Sequence, residues 1–408
     1  MERTINFINI DLKDVNSKLI DNSKYCFVNF NKIKYKDADS SNVNYLALYM
    51  RQPFNVTELI QKISNDVFLL MQQGIVRPLI IMTTEQWDLF DTYAWEYNKF
   101  DLTPDFGNIP YSDMVKHFTS RAVPEENITW LVPNNCHINQ ILFLKKKGYK
   151  ITTKFIQYDY FLQIMKLVAK NYVIKNKSFK KHFSCLCKGT PRNHRYGIIY
   201  SLWNQNLFNK GTISCEKYKE LNESKQSNWI NDTVPTESFM NKLPNWSTNR
   251  NKFIESLPFK YDDKNNQHWQ IENYNEAYIF EKSFLWISSE TKKLQDGVYI
   301  TEKTWKAIAY GSPFCINGDN GSLKYLQSMG FKTFNEFWDE SYDEDNDIDK
   351  IKKITNIVKT ICNKSLDEIN SLYTSMLPIL EHNQQLLLKN THHDNLIKEL
   401  TEAHGIQS

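Results

Sequence analysis

The feature that most constrains the fold is an alternation of short apolar runs with polar turns and amphipathic stretches, which occurs in two parts of the chain. In the first part, residues 76–82 and 128–132 are apolar runs that predict buried strands, and each ends in a polar turn. In the second part, residues 283–288 and 313–316 predict two more strands, with a helical stretch over 302–310 between them. This strand–loop–helix order is typical of parallel α/β architecture.

The length of 408 residues fits two or three domains. We expect an N-terminal α/β domain over 1–175 and a C-terminal α/β domain over 176–375. A C-terminal helix over 376–408 follows, which can pack back on the first domain. Residues 216–275 are polar and poorly periodic, so they predict a long irregular insertion. Near the end of the chain, helical spacing continues with a break expected between residues 372 and 377.

Composition excludes several classes of protein. The chain is 41% hydrophobic and 24% charged, so it can bury ordinary cores and is neither disordered nor collagen-like. No apolar run is long enough to span a bilayer, and residues 161–169 have lysines close by on both sides. The N-terminus shows no secretory signal, and seven scattered cysteines argue against a disulfide framework. We therefore expect a soluble cytoplasmic protein.

Charge is unevenly distributed along the chain. Between residues 127 and 215, fifteen lysines and arginines face a single acid, Asp159, which gives a local charge of 15 − 1 = +14. Eight acids lie between 336 and 349. Such a field predicts that a polyanion is drawn to one side of the molecule. The alternative is a solvated lysine surface that reflects coding bias, and both interpretations stay open.

Two short segments carry residues suited to binding a diphosphate. Arg192 and Arg195 lie three residues apart in a turn that leads into a helix, and arginine offers a planar fork of donors to phosphate oxygens. Farther along, Thr301 is placed to cap a helix that begins at Glu302, with Lys303 in its first turn. The amides of that turn favour an anion, and a carboxylate there can accept hydrogen bonds from ribose hydroxyls. Both segments have a competing interpretation. For the arginines it is an exposed helix start with solvated charges, and for the second segment it is an ordinary amphipathic helix packed through Trp305.

Four motifs then occur in order: Pro-Arg-x-His-Arg at 191–195, Thr-Glu-Lys at 301–303, a Gly-Ser-Leu-Lys-Tyr-Leu helix at 321–326, and a Gly-Phe-x-Thr-Phe segment that continues to Asp343. In these motifs the chain resembles the α1,3-fucosyltransferase-type glycosyltransferases, and more closely a group of fucosyltransferase-like proteins common in phages. The resemblance covers roughly residues 183–360. It implies an α/β, GT-B-like fold with two Rossmann-like domains facing a cleft and C-terminal helices.

The resemblance also implies roles for individual residues. Glu302 would hold the ribose of a nucleotide-diphosphate sugar, and Lys303 and Arg195 would hold the diphosphate, with Arg192 as a weaker candidate. Thr301 belongs to the same donor-binding motif. Where the fucosyltransferases carry Phe-Glu-Asn, this chain has Ile-Ser-Ser-Glu at 287–290, so GDP-fucose is not inferred. Glu290 is expected to supply a polar contact to the donor or the acceptor.

Such enzymes usually invert the anomeric centre, with a carboxylate of the N-terminal domain as general base. We predict Glu85 as this base because it follows the strand at 76–82, and Asp88, Glu96 and Asp101 are its rivals. We expect no cofactor besides the nucleotide-sugar co-substrate and no metal requirement, although the acidic run contains Asp-x-Asp patterns.

The acceptor stays open among three readings. A hydroxymethylated pyrimidine in phage DNA would explain the basic stretch at 127–215, because phosphates attract lysines. An oligosaccharide or other glycan acceptor is the direct implication of the resemblance. A catalytically inactive nucleic-acid-binding protein is the third reading. No membrane partner is expected, and the sequence does not give the oligomeric state.

Overall fold

The computed structural model describes most of the chain outside several loops and the two termini. The described residues are 5–8, 31–50, 60, 63–82, 110–132, 138, 141–142, 145–146, 148, 150–187, 192–215, 236–259, 277–290, 298–389, 396, 398–400 and 402–403.

The first sheet has six parallel strands in the order β2–β1–β3–β4–β5–β6. Its strands are β1 (Ile5–Ile8), β2 (Asn31–Ile33), β3 (Val43–Met50), β4 (Val76–Met82), β5 (Thr129–Val132) and β6 (Lys154–Gln157). The described helices of this part are α1 (Asn65–Gln72), α2 (Pro110–Thr119) and α3 (Tyr160–Lys170). Both predicted strands of this half are confirmed. Apart from Arg77 and Thr129 their residues are apolar, as is typical of strands buried within a parallel sheet.

The second sheet has four parallel strands in the order β10–β9–β7–β8. Its strands are β7 (Lys181–Cys187), β8 (Gly211–Cys215), β9 (Ser283–Ser289) and β10 (Phe314–Asn317). The helices that accompany it are α4 (Asn193–Asn204), α5 (Glu237–Met240), α6 (Trp246–Ser256), α7 (Ala277–Lys282), α8 (Glu302–Ala309), α9 (Ser322–Ser328), α10 (Asp347–Cys362) and α11 (Leu366–Lys389). The predicted α/β fold class with two Rossmann-like units is confirmed.

The expectation of an irregular insertion at 216–275 is wrong for its described part, 236–259, which contains α5 and α6. Trp246 and Phe253 of α6 are buried and meet Tyr196 and Tyr200 of α4 in edge-to-face contacts. Aromatic packing of this kind stabilises a helix whose own sequence has little amphipathic period.

The chain divides into two compact units, one formed by residues 1–163 with 390–408 and the other by residues 164–389. The first division falls inside α3, twelve residues before the boundary expected at 175/176. In the first unit the core includes Trp130, Phe118 and Phe68, and the hydroxyl of Tyr45 donates to the carbonyl oxygen of Leu400 at 3.1 Å. Among the described helices, none is both long enough and apolar enough to cross a bilayer.

Candidate functional site

The candidate site lies at the carboxyl ends of β7, β9 and β10. The chain runs from β7 to β8 on one side of the sheet and from β9 to β10 on the other. The strand order therefore reverses between β7 and β9. In open α/β sheets, ligands bind outside the carboxyl ends of the strands at such a reversal. The beginnings of α4 and α8 lie at this end of the sheet.

Glu290, which follows β9 directly, is the centre of the site's hydrogen-bond network. Its side chain is fully buried. Its carboxylate accepts hydrogen bonds from the hydroxyls of Thr301, of Thr304 at 2.6 Å and of Ser288 at 3.3 Å. These bonds tie the end of β9 to the first turn of α8. The contacts give Glu290 a positioning role, and its direct contact with a donor or acceptor stays a prediction.

Thr301 caps α8, as the sequence predicts. Its hydroxyl oxygen accepts hydrogen bonds from the backbone amide of Lys303 at 3.4 Å and from the Lys303 ammonium at 3.2 Å. The Thr301 hydroxyl also donates a hydrogen bond to the Glu290 carboxylate. The capping residue is therefore fixed both by Glu290 and by Lys303. The N-terminal end of a helix favours a bound anion, and here a lysine reinforces it.

Glu302 and Lys303 form a close ion pair in the first turn of α8. Lys303 Nζ lies 2.7 Å from Glu302 Oε1, and the two side chains are 20% and 15% exposed, respectively. Burial acts to raise the pKa of the Glu302 carboxyl, but the positive charges of Lys303 and Lys306 outweigh it and hold the pKa below its usual value. Glu302 is therefore an ionised hydrogen-bond acceptor that a ligand's hydroxyl groups can reach.

His194 and Arg195, in the first turn of α4, both bind the backbone carbonyl of Glu290. His194 Nε2 and Arg195 Nε each lie 2.9 Å from that oxygen. Burial and the neighbouring Arg195 charge lower the pKa of His194 to about 3, so the imidazole is neutral and Nε2 carries the proton. His194 is itself buried.

Arg195 also has an unused donor. The side chain is only 7% exposed, and among the described residues Nη2 has no hydrogen-bond partner. A buried donor without an acceptor costs free energy, about 1–3 kcal/mol for a neutral group and more for a charged one. An anion bound at this end of the sheet would satisfy it.

The pKa of the Cys187 thiol, at the last position of β7, is affected by the charges of Arg195 and Lys303. This pKa is lowered mainly by a hydrogen bond from Cys185, whose sulfur lies 3.9 Å away, and further by the charges of Arg195 and Lys303. Hydrogen bonds hold Arg195 and Lys303 at the same strand end: Arg195 donates to the Glu290 carbonyl, and Lys303, paired with Glu302, donates to the Thr301 hydroxyl that binds the Glu290 carboxylate. Cys185 and Cys187 are both free, buried thiols.

Not every predicted residue can be placed in this cluster. Arg192 is half-buried and directly precedes α4. Glu85 and its rivals Asp88, Glu96 and Asp101 lie outside the described residues, so the identity of the general base stays a prediction.

The sequence analysis missed two residues that hold the loops of the site. Asn317 ends β10, and its side-chain amide donates to the carbonyl of His194 at 3.0 Å and to the Ser289 hydroxyl at 2.9 Å. The rule that polar residues at strand ends line sites would have found it. Lys350 of α10 is fully buried and donates to the carbonyl of Gly318 at 3.0 Å and to Asn320 Oδ1 at 3.2 Å. A lysine on an amphipathic helix gave no such signal.

The acidic run is partly structural. Asp343 is buried, and its carboxylate accepts hydrogen bonds from the backbone amides of Leu323 at 3.0 Å and Lys324 at 3.2 Å. It therefore caps α9. In the part of the chain that the structure describes, no group of three His, Cys, Asp or Glu side chains is placed to hold a metal ion.

Within the second unit, the bases of the stretch at 127–215 lie at both ends of the strands. Arg192 and Arg195 lie at the carboxyl ends of the strands, whereas Lys181 begins β7 and Lys210 directly precedes β8, at the opposite edge. Lys177 is buried and donates to three backbone carbonyls. The reason is geometric: β7 crosses the whole sheet within the stretch, so its flanking bases fall on opposite edges.

Two solved structures are similar to this chain. No protein-family model matches the sequence, and no curated protein matches it significantly. The chain is similar to the DNA-modifying enzyme β-glucosyltransferase, solved with and without its substrate uridine diphosphoglucose. The identity is 10% and the TM-score 0.48, with 98% of this chain and 99% of that chain covered. It is also similar to T4 phage BGT in complex with its UDP-glucose substrate, at 12% identity and a TM-score of 0.41 over the same shares of the two chains.

Proposed function

We propose that this protein is a glycosyltransferase that moves a sugar from a nucleotide-diphosphate sugar to an acceptor hydroxyl. The proposed acceptor is a hydroxymethylated pyrimidine in duplex DNA, and the reaction inverts the anomeric centre. The location of the donor site within residues 164–389 follows from the residues that gather there.

One observation carries the proposal: a buried arginine with an unused donor, a capped helix N-terminus and an ionised carboxylate converge at a strand-order reversal. Arg195 Nη2 and Lys303 suit the two phosphates of a diphosphate. Glu302 suits the hydroxyls of a ribose. The motif at 299–303, which resembles the donor-binding signature of fucosyltransferase-type enzymes, supports the same assignment.

The chemistry follows from where charge develops. As the bond between the sugar and the diphosphate breaks, negative charge grows on the leaving phosphate oxygen. Arg195, Lys303 and the amides of α8 stabilise that charge, which lowers the barrier. The acceptor oxygen attacks the anomeric carbon from the opposite face and loses its proton to a general base. Glu85 remains our proposed base.

The acceptor assignment is supported by charge. The bases at 127–215 exceed the acids by fourteen. Those in the second unit lie at both ends of its strands and do not form one surface, but a net positive charge still attracts duplex DNA, with an affinity that falls steeply with salt. The target base must be reached in the major groove or turned out of the helix.

Nucleoside mass spectrometry tests the proposal. The purified protein is incubated with hydroxymethylcytosine DNA and a mixture of UDP-, GDP- and CMP-sugars, and the DNA is then digested. We expect a new nucleoside heavier by one sugar residue. Unchanged nucleosides with turnover of one nucleotide sugar would shift the acceptor to a glycan. If no nucleotide sugar is bound or cleaved, an inactive nucleic-acid-binding protein becomes the better explanation.

The variant Glu302→Gln sharpens this experiment. This variant removes the negative charge of the Glu302 side chain while keeping its shape. Affinity for the nucleotide sugar and the rate of sugar transfer should both fall by about 10-fold or more, since hydrogen bonds to charged groups contribute about 1.5–3 kcal/mol. Glu336→Gln is the matched control, because Glu336 is exposed and outside the cluster. Equal transfer by both variants would remove Glu302 from the donor site.

A further inference from the structure

A second cluster of positive charge surrounds the amino ends of β7, β8 and β9. We call it the amino-edge patch, and it consists of Lys180, Lys181, Lys210, Lys282, Lys359 and Lys364. Four of these side chains are exposed, and those of Lys181 and Lys364 are half-buried. Three of the six lie outside the basic stretch at 127–215, so the sequence pattern alone does not reveal the patch.

Backbone contacts hold these lysines at one edge of the sheet. The amide of Lys180 donates to the carbonyl of Lys282 at 2.8 Å, just before β7 and β9 begin. His182 Nε2 donates to the carbonyl of Lys364 at 2.9 Å. Lys359 Nζ reaches Gln205 Oε1 at 3.3 Å, beside the end of α4 and the start of β8.

The patch keeps its positive charge. Among the described residues, none of its six lysines forms an ion pair within 4.0 Å, whereas nearby acids are otherwise engaged. Glu281 pairs with Lys175 at 3.3 Å. Glu368 accepts a hydrogen bond from the Ser365 amide at 2.7 Å.

We infer that the amino-edge patch is a second DNA-contacting surface, separate from the donor site. The inference rests on the proposed DNA acceptor. Seven residues of β7 separate the patch from the donor site, which is roughly 20 Å at 3.3 Å per residue. That distance is measured through the sheet, so it is the least that a duplex lying beside the unit must span, and it corresponds to about six base pairs at 3.4 Å each. The patch therefore binds phosphates at least that far from the modified base.

The arrangement fits a polyanion better than a single phosphate. The lysines are spread along three strand ends and do not converge on one point. Lysine supplies flexible point charges, which suit a row of phosphates without reading its sequence. DNA is favoured over other polyanions because the proposed reaction already brings a duplex to this unit.

The double variant Lys180→Gln/Lys210→Gln tests the inference through the salt dependence of DNA binding. Both side chains are exposed, so folding should not change. On a duplex of about 24 base pairs, we expect affinity near 0.1 M salt to fall by about 10-fold or more. The slope of log affinity against log salt should become shallower by about 2, because each lost phosphate contact removes about 0.9.

The control variant is Lys332→Gln/Lys389→Gln, which removes the same charge from exposed lysines elsewhere in the same unit. It should change affinity by less than about 2-fold. A duplex of about eight base pairs centred on the modified base is too short to reach the patch, so the wild type and the patch variant should bind it equally. Equal salt slopes on the long duplex would overturn the inference, as would weaker heparin retention without weaker DNA binding.

Failure of this inference differs from failure of the proposed function. If the patch variant keeps wild-type DNA affinity but sugar transfer is observed, only the second surface is wrong. If DNA binding depends on the patch while no nucleotide sugar is bound or cleaved, the patch stands and the enzymatic proposal falls.

Discussion

At the scale of single residues, His194 makes folding sensitive to acid. Its pKa is about 3 in the folded protein, against a usual value of 6.5, so between these values the unfolded chain binds more protons. Stability therefore rises with pH through this window and is lost as the pH falls below about 6.5. Between about pH 7.5 and pH 5, the loss from this one group is about 2 kcal/mol, at 1.36 kcal/mol per pKa unit.

Urea unfolding of the wild type and of His194→Gln at both pH values checks this prediction. Glutamine can still donate to the Glu290 carbonyl, but it has no proton to gain. The variant should lose about 2 kcal/mol less than the wild type on acidification. The same loss in both proteins would mean that His194 is not the group responsible.

The residues that sequence could predict are those whose role is local. Thr301 was expected to cap α8 because the cap and the helix are adjacent in the chain, and the structure has that bond. Lys350 and Asn317 were missed because their partners lie about thirty or more residues away. Glu290 was noticed, but only the structure reveals the three hydroxyls around it.

At the scale of elements, the turn after β10 requires glycine at position 318, because a larger residue would contact Glu290. A Cβ atom added at Gly318 would lie 3.0 Å from Glu290 Cγ and 3.1 Å from Glu290 Cβ. Gly318→Ala should therefore push Glu290 away from the start of α8. We expect a loss of about 1–3 kcal/mol in unfolding free energy, typical of overpacking, together with weaker donor binding.

Calorimetric donor titration and urea unfolding measure both effects. Gly321→Asn is the control in the same turn, because its added Cβ meets nothing closer than 3.9 Å, and asparagine tolerates the left-handed backbone there. If Gly318→Ala behaves like this control, Gly318 does not set the position of Glu290.

Element boundaries were predicted well where apolar runs end in turns, as at 76–82 and 283–288. The break between the last two helices was expected after residue 372, but it lies at 363–365. Ser365 and Glu368 form a capping box: the Ser365 hydroxyl accepts the Glu368 amide at 3.2 Å, and Glu368 accepts the Ser365 amide at 2.7 Å. Pro378 lies inside α11.

At the scale of the whole molecule, the chain leaves the first unit inside α3 and returns to it at residue 390. Leu396 and Leu400 are buried in that unit, and the carbonyl oxygen of Leu400 accepts a hydrogen bond from the Tyr45 hydroxyl. The amino-acid composition does not change where the chain leaves the first unit. The sequence therefore predicts the domain boundary later, in the lysine-rich segment that follows α3. The α/β class was predictable because it depends only on the order of apolar runs.

Deletion of residues 390–408 should therefore destabilise the first unit and spare the second. Losing two buried leucines costs about 2–5 kcal/mol each by the scale of leucine-to-alanine substitutions. Limited proteolysis with mass spectrometry should show faster cleavage within 1–163 while 164–389 stays protected. Equal protection of both regions would show that the C-terminal segment is dispensable.

The return of the chain at residue 390 also sets an order of events during synthesis. The ribosome makes residues 164–389 before it makes Leu396 and Leu400. The second unit consequently has all of its own residues available before the first unit has its last ones. The first unit is translated first but completed last. Part of its core stays uncovered until Leu396 and Leu400 have been synthesised.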